Sequence, residues 1–271
     1  MSQTPYEARQ GEPSGGPLGV VAAMGMGWQF LKVDFWPIWL VGLVAMVLLS
    51  VAESVGAIPY IGGCIAAAVS VFIQPPVTAG LYYAIGRRID GGAADVSNIF
   101  AGFRERYWQS VVAFLPPMLA GAAVGIVIMV LAIGLGLGAA MLEGHHDEAP
   151  IIAALIIAGV VLMPLIIAVV IFSLFFAFCP ITVWQHPQSG WEAAKASMRF
   201  VKDNFWSVLG MTILFALIGL AAAIVGLLAC CVGLFFTVPV VMVWEASALT
   251  FFYRSRTGQA LIQAQPERTA V

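Results

Sequence analysis

The chain has 271 residues, 61% of them hydrophobic and only 10% charged. Soluble proteins carry roughly 25% charged residues, so this chain cannot cover a water-facing surface and falls outside the soluble globular class. The formal net charge of −2 is nearly neutral; the information lies in where the charges fall, and no nucleic-acid partner is expected.

Residues 1–17, MSQTPYEARQGEPSGGP, are polar and rich in Pro, Gly and Ser. They lack the basic start and apolar core of a signal peptide and read as a disordered tail, as do residues 259–271. The segment from Leu18 to Asp34 places Val21, Met24, Trp28, Leu31 and Phe35 at spacings of three and four, one helical stripe. Helices of this kind lie in the membrane interface with the apolar face down; the alternative is a plain extension of the following span. Phe35-Trp36 then leads into span one, about Pro37 to Val55, and a turn at Gly56-Ala57-Ile58-Pro59 leads into span two. That span carries Pro75-Pro76 near its middle and ends at Arg87-Arg88.

A third amphipathic segment follows, with Val96, Ile99, Phe100, Phe103 and Tyr107 on its stripe and Trp108 after it. Span three, about Val111 to Met141, holds Pro116-Pro117 and the glycine pairs Gly121/Gly125 and Gly134/Gly138, a spacing that lets helix backbones approach closely. Glu143 to Glu148 is a polar loop, and span four runs from about Ile151 to Phe178 with Pro164, and Pro180 at its end. Ser189 and Glu192 form a capping-box pattern ahead of a helix with Trp191, Ala194, Met198, Val201 and Phe205 on its stripe. Spans five and six, about Trp206 to Leu228 and Val232 to Tyr253, are joined by little more than Ala229-Cys230-Cys231.

The opening unit is stated twice. Shifted by 170 residues, Ala23, Phe30, Lys32, Phe35, Trp36, Ala52, Val55 and Gly56 meet Ala193, Phe200, Lys202, Phe205, Trp206, Ala222, Val225 and Gly226. Gly63, Val71 and Tyr83 meet Gly233, Val241 and Tyr253 in the same register. Self-similarity at a fixed period marks an array of one unit. The expected fold is an all-α polytopic membrane protein with six spans, arranged as three like-oriented hairpins, each preceded by an amphipathic helix. The membrane domain covers 18–258, with units 18–90, 95–184 and 189–258. All twelve basic residues, among them Arg87, Arg88, Arg104, Arg106, Arg254 and Arg256, fall on one side of this arrangement. Lysine and arginine bias marks the cytoplasmic face, so both termini are expected inside the cytoplasmic membrane.

Few residues carry chemistry. Glu53 lies near the outer end of span one, and Glu245 lies nine residues before Arg254, roughly 13 Å up span six. Ionisable groups inside spans are costly and are functional candidates by default; the alternatives are a headgroup-facing Glu53 and a Glu245 paired with a basic residue. Gln74, just before Pro75-Pro76, is the polar candidate to share a cavity with Glu245, because broken helices near the midplane make substrate sites. Prolines are also tolerated in spans without any ligand. His145-His146 beside Asp147 and Glu148 reads as a solvated loop rather than a metal site, and the four cysteines have no CxxC spacing. Cys64 and either Cys230 or Cys231 are the only candidates for a bridge, against buried free thiols as the alternative. No catalytic constellation, cofactor motif or metal set is visible.

The Phe-Trp pairs, Gly102 to Trp108, and SGWEAAKASMRFVKDNFW before span five resemble a group of prokaryotic six-span membrane proteins. The group includes the membrane domain attached to some glycerophosphodiester phosphodiesterases. The resemblance implies a fold and a place in the envelope; the catalytic barrel of those enzymes is absent from this chain, so no catalytic residue comes with it. The first functional reading is a non-enzymatic protein handling lipids or small molecules, or transporting them, with membrane lipids as partners. The second is a scaffold or bilayer sensor that binds protein partners or itself, and the third an intramembrane enzyme.

Overall fold

Helix α1, Val20–Val33, stops at Asp34, and α2, Phe35–Ser54, leaves it at a bend of 105°. The computed structural model describes residues 17–54, 62–93, 95–141, 149–185, 189–228 and 232–259, and these are all-helical in their regular structure. Asp34 leaves the helical region (φ −125, ψ 52), and its carbonyl accepts the first bond of α2 from the Ile38 N–H at 3.3 Å. The same junction recurs before each later aromatic-Trp pair: Arg106 accepts from the Ser110 N–H and Asn204 from the Val208 N–H. Trp36, Trp108 and Trp206, the second residues of the helices that follow, are 67%, 65% and 81% exposed. A large amphipathic ring held outward at the foot of an apolar helix suits the membrane–water boundary.

The chain continues through α3 (Gly62–Phe72), α4 (Gln74–Ile89), a 3-10 turn (Val96–Phe100), α5 (Ala101–Arg104), α6 (Tyr107–Met141) and α7 (Ala149–Leu174). It ends with α8 (Cys179–Gln185), α9 (Gly190–Asp203), α10 (Phe205–Leu228) and α11 (Val232–Thr257). Among the described residues, five segments are long and apolar enough to cross a membrane, or six if the bent α1–α2 pair counts as one. The third amphipathic segment expected from the sequence is a 3-10 turn and a single turn of α-helix. Span two breaks at Ile73, because Pro75 and Pro76 have no N–H to offer the turn before them. Span four breaks over residues 175–178, ahead of Pro180, where the N–H groups of Phe175, Phe176 and Ala177 reach back only three residues. Pro116-Pro117, Pro164 and Pro239 sit inside unbroken helices.

Three crossings hold the bundle together. Helix α1 lies on α11, the 3-10 turn and α5 lie on α4, and α9 lies on α8 and α6. Each crossing places backbone on backbone. A Cβ on Gly80 would collide with the Ile99 carbonyl, and one on Gly102 with the Pro76 carbonyl, so this pair of helices meets only because both are glycine. The glycine spacing in span three plays no such part: a Cβ at Gly121, Gly125 or Gly134 would meet nothing within 4 Å.

The short helices bury part of the expected stripe, Met24, Leu31, Ala194 and Val201, and leave the rest of it outward. In α1 the buried residues are Ala23, Met24, Gly27, Phe30 and Leu31, while Val21 and Trp28 are exposed. In α9 they include Ala193, Ala194, Ser197 and Val201, while Trp191 and Met198 are exposed. Ser189 caps α9 by accepting the Trp191 N–H at 3.2 Å, one residue earlier than a capping box would have it. The two tails apart from residues 17 and 259, the 143–148 loop, Cys230 and Cys231, and the side chains of Glu53 and Cys64 lie outside the described residues, so the expectations placed on them stand as they were.

Candidate functional site

Helices α4, α8 and the second half of α11 form the buried centre. Pro75, Pro76, Val77, Ala79, Gly80 and Leu81 of α4 are buried, as are Cys179 to Val183 of α8 and Ala246 to Tyr253 of α11. Cys179 is a free, buried thiol whose Sγ donates to the Ala113 carbonyl at 3.6 Å, a small hydrophobe rather than a reactive group. Polar contacts pin the three helices where they emerge. Trp184 donates its Nε1–H to the Ala79 carbonyl at 2.9 Å and stacks on Tyr83 with ring centres 4.3 Å apart. The Tyr253 hydroxyl donates to Gln185 Oε1 at 2.8 Å.

These contacts frame a cleft of about 210 Å³ at the basic end of the bundle. Tyr82, Tyr83, Gly86, Arg87 and Asp90 enter it from α4, Trp184 and Gln185 from α8, and Thr250 and Arg254 from α11. Arg254 grips Asp90 in a two-pronged pair, 2.5 and 3.1 Å, and its Nη2 reaches the Gly86 carbonyl at 3.5 Å. The Arg87 guanidinium lies over the Tyr83 ring, 5.9 Å from its centre. Two further arginines are committed nearby: Arg88 pairs with Asp34, and Arg256 donates to Asn204 while covering the Phe252 ring. Asp34 and Asn204 are the junction residues, so each ties the foot of a first span to the end of a second.

Glu245 is half-buried on α11. No ion pair involves it among the described residues. Gln74 opens α4 with its side chain exposed, and its carbonyl accepts from the Thr78 hydroxyl at 2.8 Å. It lies eight residues before Tyr82, about 12 Å along the helix, and neither Gln74 nor Glu245 lines the cleft. Trp244, beside Glu245, points to a neighbouring helix: its Nε1–H donates to the Met24 carbonyl at 2.8 Å, and its ring meets Trp28 and Phe215.

The cleft residues were visible in the sequence only as topology markers. Arg87, Asp90 and Arg254 fix which end of a span is basic, and Tyr83 and Tyr253 match across the repeat register. That three separate spans bring them to one place needs the packing. Among the described residues, no three His, Cys, Asp or Glu side chains are gathered as a metal would require.

Residues 18–264 match the family described as a domain of unknown function, DUF7847. The chain belongs to the DUF7847 family. Neither the curated proteins nor the solved structures contain a match to it. The family match covers the whole helical body, so the cleft and all three crossings lie within the DUF7847 domain.

Proposed function

We propose that this DUF7847 protein sits in the cytoplasmic membrane with its basic end and both termini inside, and binds a lipid headgroup or small polar molecule in the cleft between α4, α8 and α11. The observation that supports this reading is the cleft itself: an aromatic-walled hollow between α4, α8 and α11, into which Arg87, Asp90 and Arg254 bring charged groups. Basic pockets between spans on the cytoplasmic side are suited to anionic headgroups. In this reading the chain is three like-oriented units, 18–90, 95–184 and 189–258, whose short amphipathic helices lie along the inner interface. The protein in this reading binds rather than transforms.

Filling the cleft tests this. A Cβ at Gly86 would have only the Arg254 side chain near it, at 3.7 Å, so Gly86→Leu projects into the hollow without striking backbone. Native mass spectrometry of the purified chain should find a co-purifying lipid or small molecule in the wild type and lose it in Gly86→Leu. An unchanged adduct pattern in a folded Gly86→Leu variant overturns the reading.

One observation favours a scaffold as the second reading. Gly121, Gly125 and Gly134 leave open space along an exposed face of α6, where a second copy or a partner helix would pack closely. Gly125→Leu should then abolish cross-linking between copies while leaving the adduct pattern intact; cross-linking unchanged by it removes this reading.

A further inference from the structure

We propose that the cleft is a phosphate site, in which Arg87 and Arg254 hold a phosphate-bearing anion and the Asp90 carboxylate is the resident group that this anion displaces. The proposal deepens the reading above and rests on it. Two guanidinium groups face the cleft against one carboxylate, which leaves a positive charge in excess. The nearby Asp34 carboxylate is not available to balance it, because Arg88 already holds it.

The two cleft arginines are in different states. Arg254 is largely buried, 13% exposed, and presents both Nη groups to the two Asp90 oxygens. That parallel fork is the geometry arginine uses for carboxylate and phosphate alike. Arg87 is exposed at the rim, stacked on Tyr83, and among the described residues no carboxylate pairs with it. An anion entering the mouth therefore meets Arg87 first and then competes with Asp90 for the fork of Arg254. Asp90 is the residue built to yield. It is the C-cap of α4, its side chain is 39% exposed, and it is followed by Gly91 in the left-handed region, φ 83.

Size limits the ligand. A hollow of about 210 Å³ is below the usual range for drug-sized molecules, about 300–1,000 Å³, so it admits a headgroup or a small anion and leaves any acyl chain outside among the spans. The ends of α4 and α8 place partial negative charge behind the arginines, but in a wet, screened mouth this is smaller than two full guanidinium charges. Tyr82 and Gln185 also line the cleft, giving a hydroxyl and an amide for the remaining oxygens, whereas the Thr250 hydroxyl already donates to the Ala246 carbonyl at 2.7 Å.

The test uses the full chain in a neutral detergent and isothermal titration calorimetry. One arm adds a short-chain phosphatidylglycerol; the other adds inorganic phosphate. Arg87→Gln should weaken binding about tenfold and Asp90→Asn should tighten it about threefold, since the fork no longer has a charged occupant. Arg104→Gln, at an exposed arginine outside the cleft, should change it less than about twofold. Thermal melting of each variant checks the fold, and Arg87→Lys, which keeps the charge and loses the plane, should fall between wild type and Arg87→Gln. Binding of the lipid with no competition from phosphate assigns the site to a headgroup; binding of phosphate itself assigns it to the free anion. If neither arm binds, or if Arg87→Gln and Asp90→Asn both leave the affinity unchanged, the phosphate site is overturned. The broader ligand reading would still stand if Gly86→Leu strips a co-purifying molecule, so the two fail separately.

Discussion

The crossing of α1 over α11 and the crossing of α9 over α8 solve one problem in two ways. Gly27 and Ser197 hold the same place in the repeated register, 170 residues apart. Beneath Ser197 the partner span has unwound at 175–178, which strands the Phe175 carbonyl and the Phe178 N–H in a buried setting. Ser197 serves both: its hydroxyl donates to Phe175 at 2.8 Å and accepts from Phe178 at 3.2 Å. Beneath Gly27 the partner span is continuous. No backbone group needs help there, and what matters is room: a Cβ on Gly27 would stand 2.9 Å from the Ala248 nitrogen. A broken span asks its neighbour for a hydroxyl, and an intact one asks it for nothing but space.

The comparison breaks first at the crossings made of bare backbone. Gly80→Leu or Gly102→Leu drives a side chain into a carbonyl that cannot move without shifting a helix; overpacking a core costs about 1–3 kcal/mol and sometimes more. The melting temperature in detergent should fall furthest in these variants, and a melt within a degree of wild type would contradict the crossing. Ser197→Ala comes next. It removes the partner of the buried Phe178 N–H and of the part-buried Phe175 carbonyl, about 1–3 kcal/mol for the two together. Gly27→Ser should not be a benign exchange in the other direction, since the Cβ would be too close to the Ala248 backbone. Should Gly27→Ser prove as stable as wild type while Ser197→Ala is also neutral, the two crossings are not different in kind.

Smaller effects sharpen the same contrast. Asp34 and Asn204 follow α1 and α9, one charged and one neutral, each bound to an arginine near the end of a later helix, Arg88 of α4 and Arg256 of α11. Asp34→Asn should cost about 0.2–1 kcal/mol, the worth of a partly exposed ion pair, and should mostly remove the salt dependence of the melt. The smallest effect lies at the 3-10 turn on α4. The backbone N–H of Ser97 donates to Asp95 and holds its carboxyl below the usual range. A depressed carboxyl stabilises above its unfolded pKa and ceases to as the pH falls through the folded value. Exchange protection of the Ser97 amide should therefore drop on acidification below the ordinary aspartate range, and Asp95→Asn should abolish that dependence.

Much of this fold can be read from the residues. The apolar runs, the Phe35-Trp36 and Phe205-Trp206 junctions and the clustering of arginines at one end follow from chain length in a bilayer and from charge. The inward faces of α1 and α9 follow only in part. In water an apolar stripe has one destination, but here both protein and lipid accept it, so the stripe through Val21 and Trp28 could not tell which side packs. The seam of α1 shares Met24 and Leu31 with that stripe and adds Ala23, Gly27 and Phe30. The glycines mislead for a related reason. Four-residue spacing in α6 is a pattern, whereas Gly80 and Gly102 matter through a crossing between elements distant in sequence. Glu245 was singled out by the cost of its charge, yet the cleft was assembled from residues at the ends of spans, where charge is cheap and carries less signal.

The length of α6 has a consequence of its own. At 35 residues it extends about 52 Å, at 1.5 Å per residue, against about 36 Å for the 24 residues of α10. A hydrocarbon core is roughly 30 Å thick, so α6 and α10 would not both match it while standing upright. The α6–α7 arm must lean, or thicken the bilayer around itself, and each option carries a modest cost for every ångström of mismatch. Bilayer thickness thereby becomes a mechanical input to the molecule. In a thin membrane the long arm tilts further, and because α6 begins beneath α9 and beside α8, its lean is delivered to the wall that carries Trp184 and Gln185.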